Sequence, residues 1–312
     1  MKTWLTPILI CPACLPQETG LKLKADTQEN DDVIEGHLKC PACLKEYPIR
    51  EGIALVHPEQ HTLKDSGSKY EKASVVSSYL WSHYCDLLQD PEGSSAYQDW
   101  AGLMHPDAGG CLDMGSAVGR FTFDMAHKFN FAVGIDNSLG FIQAARELLT
   151  RRQIQVDLVQ EGVLSQKETL ALPAPWQTQN VEFMVADAMA LPFASGAFSA
   201  LASLNMVDKL PLPLKHLHEA GRLAYRDRAQ ILLSDPFSWS EQSADREYWL
   251  GGKPEGEFAG YGLDNIAGWL ETPRANPGPG WNIEKKGHVW WKIRTHRNHY
   301  ELIRSCYVKA FR

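Results

Sequence analysis

The chain carries two hydrophobic rhythms. From Gly110 onward, short apolar runs at about 110–114, 131–136, 181–186, 198–204 and 229–234 alternate with longer stretches at about 118–129, 138–152 and 212–224, whose apolar residues return every three or four positions. The first kind reads as buried strands and the second as amphipathic helices, so their alternation predicts βαβ units in a mostly parallel sheet. Two late strands, near 281–290 and 303–311, bring the expected sheet to seven. Upstream, Val75, Val76, Tyr79, Leu80, Tyr84 and Leu87 fall near a 3.6-residue period, which predicts leading helices over 69–105. Residues 153–180 are too long for a helix-to-strand connection and read as an insertion, a β-excursion ending in Pro173-Ala-Pro-Trp176. Residues 58–68 are polar and rich in turn formers, a linker, and 273–280 is a Pro- and Gly-rich loop. His216 and His218, within the 212–224 helix, are expected on its surface.

The first 57 residues follow neither rhythm. They hold Cys11-Pro-Ala-Cys14 and Cys40-Pro-Ala-Cys43, with 25 residues between the pairs. Two residues of separation let both sulfurs of a pair reach one tetrahedral ion, and four thiolates leave no open position, which is the chemistry of a structural zinc. Residues 1–57 are therefore expected to form a zinc ribbon and 69–312 a larger α/β domain. With Ile8-Leu9-Ile10 leading in and Tyr47 to Ile53 following, the segment resembles the small zinc-ribbon family that activates tRNA and protein methyltransferases. The resemblance implies that the ribbon, there a separate subunit, is fused here to an enzyme. Cys85, Cys111 and Cys306 stand alone and are expected to be buried thiols.

Composition narrows the class. At 44% apolar and 22% charged, the chain of 312 residues can bury a core. The run from Leu5 to Ile10 is short and interrupted, so a cytoplasmic protein without a membrane span is expected. The net charge of −7, made more negative by a four-thiolate zinc, disfavours nucleic acid as a partner. Residues 285–312 are the exception, with eight Lys or Arg against the single acid Glu301.

The strongest functional signal is Gly110 to Arg120, an apolar strand running into Asp113-Met-Gly115-Ser116-Ala-Val-Gly119 and then a helix. Alone, such a loop is shared with dinucleotide binders. A second strand ends at Asp136-Asn137, 23 residues after Asp113, and a third at Asp187-Ala188, followed by Met189-Ala-Leu-Pro-Phe193. The three together resemble class I S-adenosylmethionine-dependent methyltransferases, with a Rossmann-like seven-stranded sheet. That resemblance implies that Gly115, Ser116 and Gly119 let the backbone approach the cofactor. It implies that Asp113 helps hold the methionine ammonium, Asp136 and Asn137 the ribose, and Asp187 and Ala188 the adenine, with Asn205 near the fourth strand. Position 117, usually glycine, is Ala117.

Residues from about 110 to the C-terminus also resemble the methyltransferase domain of the bifunctional ovothiol-synthesis enzymes. The match runs through Ala117–Phe123, Val133–Ser138, Glu161–Leu164, Asn205–Asp208, Ser234–Trp239, Trp249–Gly252 and Trp291–Arg297. It implies methylation of an imidazole nitrogen or thiol of a histidine-derived small molecule. The chain departs from that pattern in carrying a zinc ribbon in place of the iron-dependent sulfur-transfer domain. Methyl transfer is an in-line displacement that positioning can largely catalyse, and a neutral imidazole needs no strong base. Substrate-side candidates are Tyr79, Trp81, Tyr84, Asn205, Asp208, Trp291, Arg294 and Arg297, with an arginine fork expected to hold a carboxylate. An RNA methyltransferase is the first alternative reading. A non-catalytic adapter is the second, and the intact Asp113, Gly115, Asp136 and Asp187 oppose it.

Overall fold

The computed structural model describes residues 1–58, 69–273 and 278–312. The expected linker, apart from Pro58, lies outside the described residues, as do positions 274–277 of the expected loop. Two 3₁₀ turns, Thr3–Ile8 and Pro12–Cys14, precede four short strands: β1 (Lys22–Glu29), β2 (Asp32–Lys39), β3 (Glu46–Arg50) and β4 (Ile53–Val56). Helices α1 (Ala73–Tyr84) and α2 (Ala96–Gly102) lead into β5 (Asp107–Met114), α3 (Arg120–Met125), β6 (Phe129–Asp136) and α4 (Leu139–Arg151). The insertion is a hairpin, β7 (Gln153–Glu161) and β8 (Leu164–Ala171), forming its own two-stranded sheet. Then come β9 (Val181–Ala186), β10 (Ala200–Leu204), α5 (Pro213–Leu223), β11 (Gln230–Asp235), α6 (Gly262–Glu271), β12 (Asn282–His296) and β13 (His299–Phe311).

The main sheet has the order β1-β2-β3-β4-β9-β6-β5-β10-β11-β13-β12. From β4 to β11 every neighbouring pair is parallel, and β13 and β12 close the far side antiparallel. The core is thus mostly parallel, but the sheet has eleven strands rather than seven. The seven expected ones run from β9 to β12. The other four come from the Cys-rich segment, because apolar β4 lies along the outer edge of β9, pairing Leu55 with Val185 and Val56 with Ala186.

Two apolar layers sandwich the sheet. Along β5, Cys111 faces the layer of α1 to α4, while Leu112 and Met114 face the layer of the N-terminal segment, α5 and α6, as a strand's period of two requires. An ion cluster ties the N-terminal segment down. Fully buried Glu182 of β9 meets Arg146 Nη1 of α4 at 3.4 Å, and Arg146 Nη2 also donates to Asp32 of β2.

Three further expectations change, the first being that Cys306 is half-buried while Cys85 and Cys111 are buried. The late strands are longer than 281–290 and 303–311, because in β12 inward Val289, Trp291 and Ile293 alternate with outward Lys286, His288 and Trp290, a weak apolar signal for a strand. His216 is fully buried rather than exposed, on the inner face of α5 with Leu217 and Ala220; His218 is exposed and stacks on Trp269.

Candidate functional site

The strand order reverses at β5: the chain proceeds to β6 and β9 on one side and to β10 and β11 on the other. Ligands of open α/β sheets bind outside the carboxyl ends of the strands at such a point. A cleft of about 1010 Å³ opens there, at the top of the range for small-molecule sites, with room for more than one ligand.

The loop after β5 is strapped to β6. Gly115 N and Ser116 N donate to Ile135 O at 2.9 and 2.8 Å, and Ala117 N donates to Asp136 Oδ2 at 3.0 Å. Gly115 has φ +79°, the left-handed backbone that favours glycine, and a Cβ there would meet Met206 Sδ at 2.6 Å. Ala117 holds φ +44° without being glycine, a strained conformation maintained by the surrounding loop. Gly119 (φ +87°) turns the chain into α3 against Phe183. Ser116 Oγ is buried with no partner.

The cleft wall includes Gly115, Ala117, Asp136, Asn137, Asp187, Ala188 and Asn205. Asp136 Oδ1 accepts from Ser138 N at 2.9 Å, and burial pushes its carboxyl up to about 6 despite these backbone donors. Asp187 Oδ1 accepts from Met189 N at 2.8 Å. Buried His216 braces this strand end through Ala188 O and Ser203 Oγ, both at 3.1 Å. Asn205, at φ +56°, accepts from Ser305 Oγ at 2.5 Å. Asp113 lies beneath the loop and outside the cleft wall, 2% exposed, accepting from Thr122 Oγ1 at 2.7 Å; burial pushes its carboxyl up to about 7.

At the far end of the cleft stand Tyr70, Tyr79, His83, Tyr97, Phe141 and Trp291. Tyr79 is the hub, with ring centroids 4.7 Å from Phe141, 5.9 Å from His83 and 6.0 Å from Trp291. Of the expected substrate-side residues, Tyr79, Asn205 and Trp291 line the cleft. Trp81 is buried, bonding Asp90 Oδ2 at 2.7 Å, and Tyr84 donates to Val118 O at 2.9 Å. Asp208 is buried under the strand ends, accepting from Ser238 N at 2.6 Å. Arg294 pairs with Asp90 at 3.5 Å, and Arg297 is exposed at the β12–β13 turn, so the expected arginine fork does not line the cleft. The charge cluster of 285–312 is also divided: Lys309 is 1% exposed, and Arg312 is spent on the carbonyls of Gly221, Ala224 and Tyr225. Sequence reasoning missed His83 and Tyr97, although His83 follows Tyr79 by one helical turn and shares its face.

At the cleft mouth, Pro12, Ala13 and Leu15 of the first cysteine knuckle complete the wall. The four Sγ atoms of Cys11, Cys14, Cys40 and Cys43 all lie within 4.8 Å of one another, with Cys11–Cys43 at 3.6 Å and Cys14–Cys40 at 3.7 Å. Sulfurs about 2.3 Å from a tetrahedral zinc are about 3.8 Å apart, so the donor set fits Zn²⁺. Tyr47 stands beside it, its hydroxyl 3.1 Å from Cys11 Sγ.

Residues 112–227, from β5 through α5, match the family model described as a methyltransferase domain. This region is a methyltransferase domain. Residues 2–52 match the Trm112p-like protein family. Among solved structures, a chain from the complex between the Haloferax volcanii Trm112 methyltransferase activator and a candidate methyltransferase is 12% identical, covering 77% of this chain and 93% of that chain at TM-score 0.48. An S-adenosylmethionine-dependent methyltransferase from Aquifex aeolicus is 14% identical, over 77% of this chain and 98% of that chain, at TM-score 0.45. A search of the curated proteins finds no match. Over residues 112–227 the chain is thus a methyltransferase, with a Trm112-like, four-cysteine module built into its sheet. No helix among the described residues is long and apolar enough to cross a membrane.

Proposed function

We infer that the enzyme methylates a small molecule, at an imidazole nitrogen or thiol of a histidine-derived metabolite, in the cytoplasm. The observation that carries this reading is the aromatic end of the cleft, whose lining includes Tyr79, Tyr97, Phe141 and Trp291, surfaces that suit a planar ring. The residues present fit the cofactor: a left-handed Gly115 in the cleft floor and carboxylates at the ends of β6 and β9. In this reading Gly115 forms the floor, while Ser116 and Gly119, which lie outside the cleft wall, hold the loop in its turn. Asp136 and Asn137 hold the ribose, Asp187 and Ala188 the adenine, and Asn205 the methionine side. Asp113 acts from behind the loop, through its field and its bond to Thr122. When bound, S-adenosylmethionine supplies an electrophilic methyl on a sulfonium. The aromatic walls exclude water and fix the acceptor ring so that its lone pair lies on the transfer axis. Tyr79 and Trp291 are the residues placed to do so.

The direct test is methyl transfer by the purified full-length protein to 5-thiohistidine and related azoles, beside structured RNA. Transfer confined to RNA, with steep salt dependence, would replace this reading by the RNA methyltransferase. Lys45, Lys209 and Lys215 at the cleft mouth are the observation that favours that second reading.

Asp136→Ala is expected to weaken cofactor binding by about 2–3 kcal/mol, the loss of charged hydrogen bonds to two hydroxyls. Because the Asp136 carboxyl titrates near 6, wild-type affinity is expected to hold above pH 7. Below about pH 6 it should fall, approaching about tenfold per pH unit, as the acceptor charge is lost. Calorimetry from pH 5 to pH 8 checks both, and a flat profile would remove Asp136 from the ribose site.

A further inference from the structure

The 3₁₀ turn Lys69–Glu71, which precedes α1, lies across the start of α4. Both Glu71 oxygens are engaged there: Leu139 N donates to Oε1 at 3.1 Å and Gly140 N to Oε2 at 3.0 Å. Ser138 Oγ donates to Tyr70 O at 3.3 Å. The approach is close, since a Cβ on Gly140 would stand 3.3 Å from Glu71 Oε2. A carboxylate suits this place because the first amides of a helix have no partner within it and carry partial positive charge. Only Asn137 separates Ser138 from Asp136, the acid at the end of β6. Burial is the main cause of the raised Asp136 carboxyl, and the Glu71 charge adds to it.

The same turn carries Tyr70. Its half-buried ring lines the cleft, with centroids 5.7 Å from Phe141 and 6.1 Å from Tyr79. Burial pushes its hydroxyl above the usual range, with Lys209 opposing the shift and Asp136 and Asp208 adding to it. Those charges belong to the end of β6 and to the turn after β10, on opposite sides of β5. Tyr70 thus stands over the point where the strand order reverses, between the ribose acid and the aromatic end of the cleft.

We propose that Tyr70 is a cofactor-covering residue and that Glu71 is the positioning residue that latches it over bound S-adenosylmethionine. Opening the turn breaks two charge-assisted hydrogen bonds, so the residence time of the cofactor and of its spent form depends on Glu71. The same closure keeps water from the sulfonium while the acceptor is aligned. The proposal rests on the cofactor site proposed above and is independent of the acceptor's identity.

The test measures release of labelled S-adenosylhomocysteine from the full-length, zinc-loaded protein in a rapid chase. Glu71→Ala and Tyr70→Ala are each expected to speed release about tenfold without slowing association, through loss of the latch or of the covering ring. Glu71→Gln, with one acceptor oxygen left, should fall between, and Tyr70→Phe, which keeps the ring, should recover most of the slow release. A role confined to stabilising α4 would lower the melting temperature and leave release unchanged. Hydrogen exchange at the Leu139 and Gly140 amides gives a second reading on the unmodified protein. If the turn opens only when the ligand leaves, S-adenosylhomocysteine at about ten times its Kd should slow that exchange about tenfold. Equal release rates in all five proteins, or exchange at the two amides that ignores the ligand, would overturn the proposal alone. A wild-type protein that binds no S-adenosylhomocysteine would overturn the cofactor site and the latch with it.

Discussion

Chelating the metal, or changing Cys40→Ser, is expected to unfold the N-terminal module and take much of the enzyme's stability with it. The module is four short strands whose 3₁₀ turns and loops converge on the cysteine cluster, and a structural zinc contributes about 10–16 kcal/mol to folding in small modules of this kind. The loss would spread, because β4 covers the edge of β9 and the first knuckle lines the cleft mouth. Elemental analysis should find one zinc per chain, and chelator should lower both the melting temperature and cofactor affinity. Cys306→Ser, at an isolated thiol, should do neither. Freshly purified protein without zinc would refute the assignment.

The second large effect is expected at the ion cluster beneath the module. Arg146→Met removes a guanidinium that is 5% exposed and leaves Glu182 fully buried without it. Breaking a buried pair from one side costs about 3–5 kcal/mol, whereas replacing both partners by apolar residues can be nearly neutral. Urea denaturation of Arg146→Met, Glu182→Leu and the two combined forms a double-mutant cycle. The double variant should recover most of what Arg146→Met alone loses. Additive losses would show that the two side chains do not act as a pair.

Local signals carried the sequence reading furthest. The strand-to-acid patterns at Asp113, Asp136 and Asp187 and the two Cys-Pro-Ala-Cys pairs are each confined to a few residues, so their spacing alone places a loop or a ligand set. What depended on distant pairing was hidden. Nothing local to Ile53–Val56 says that it will run beside Val181–Ala186, so the sheet grew from seven strands to eleven. Arg294 and Arg297 looked like a clamp because they are two cations near a tryptophan. The β12–β13 register turns the first to Asp90 and leaves the second at the hairpin tip. α6 was overlooked in a segment crowded with glycine, and the burial of His216 escaped because its bonding partners, Ala188 and Ser203, lie on other elements.

The pairing of β4 with β9 also decides where the assembled sheet ends. The open side of a parallel sheet invites a second chain to add itself strand by strand. Here that side is continued to β1, which presents Lys22, Lys24, Asp26 and Glu29 along an almost wholly exposed strand with a register shift near Thr27. Charges and an irregular register are poor templates for self-association. The N-terminal module thus doubles as a guard against aggregation, and a truncation that removes it should yield a protein that precipitates before it can be assayed.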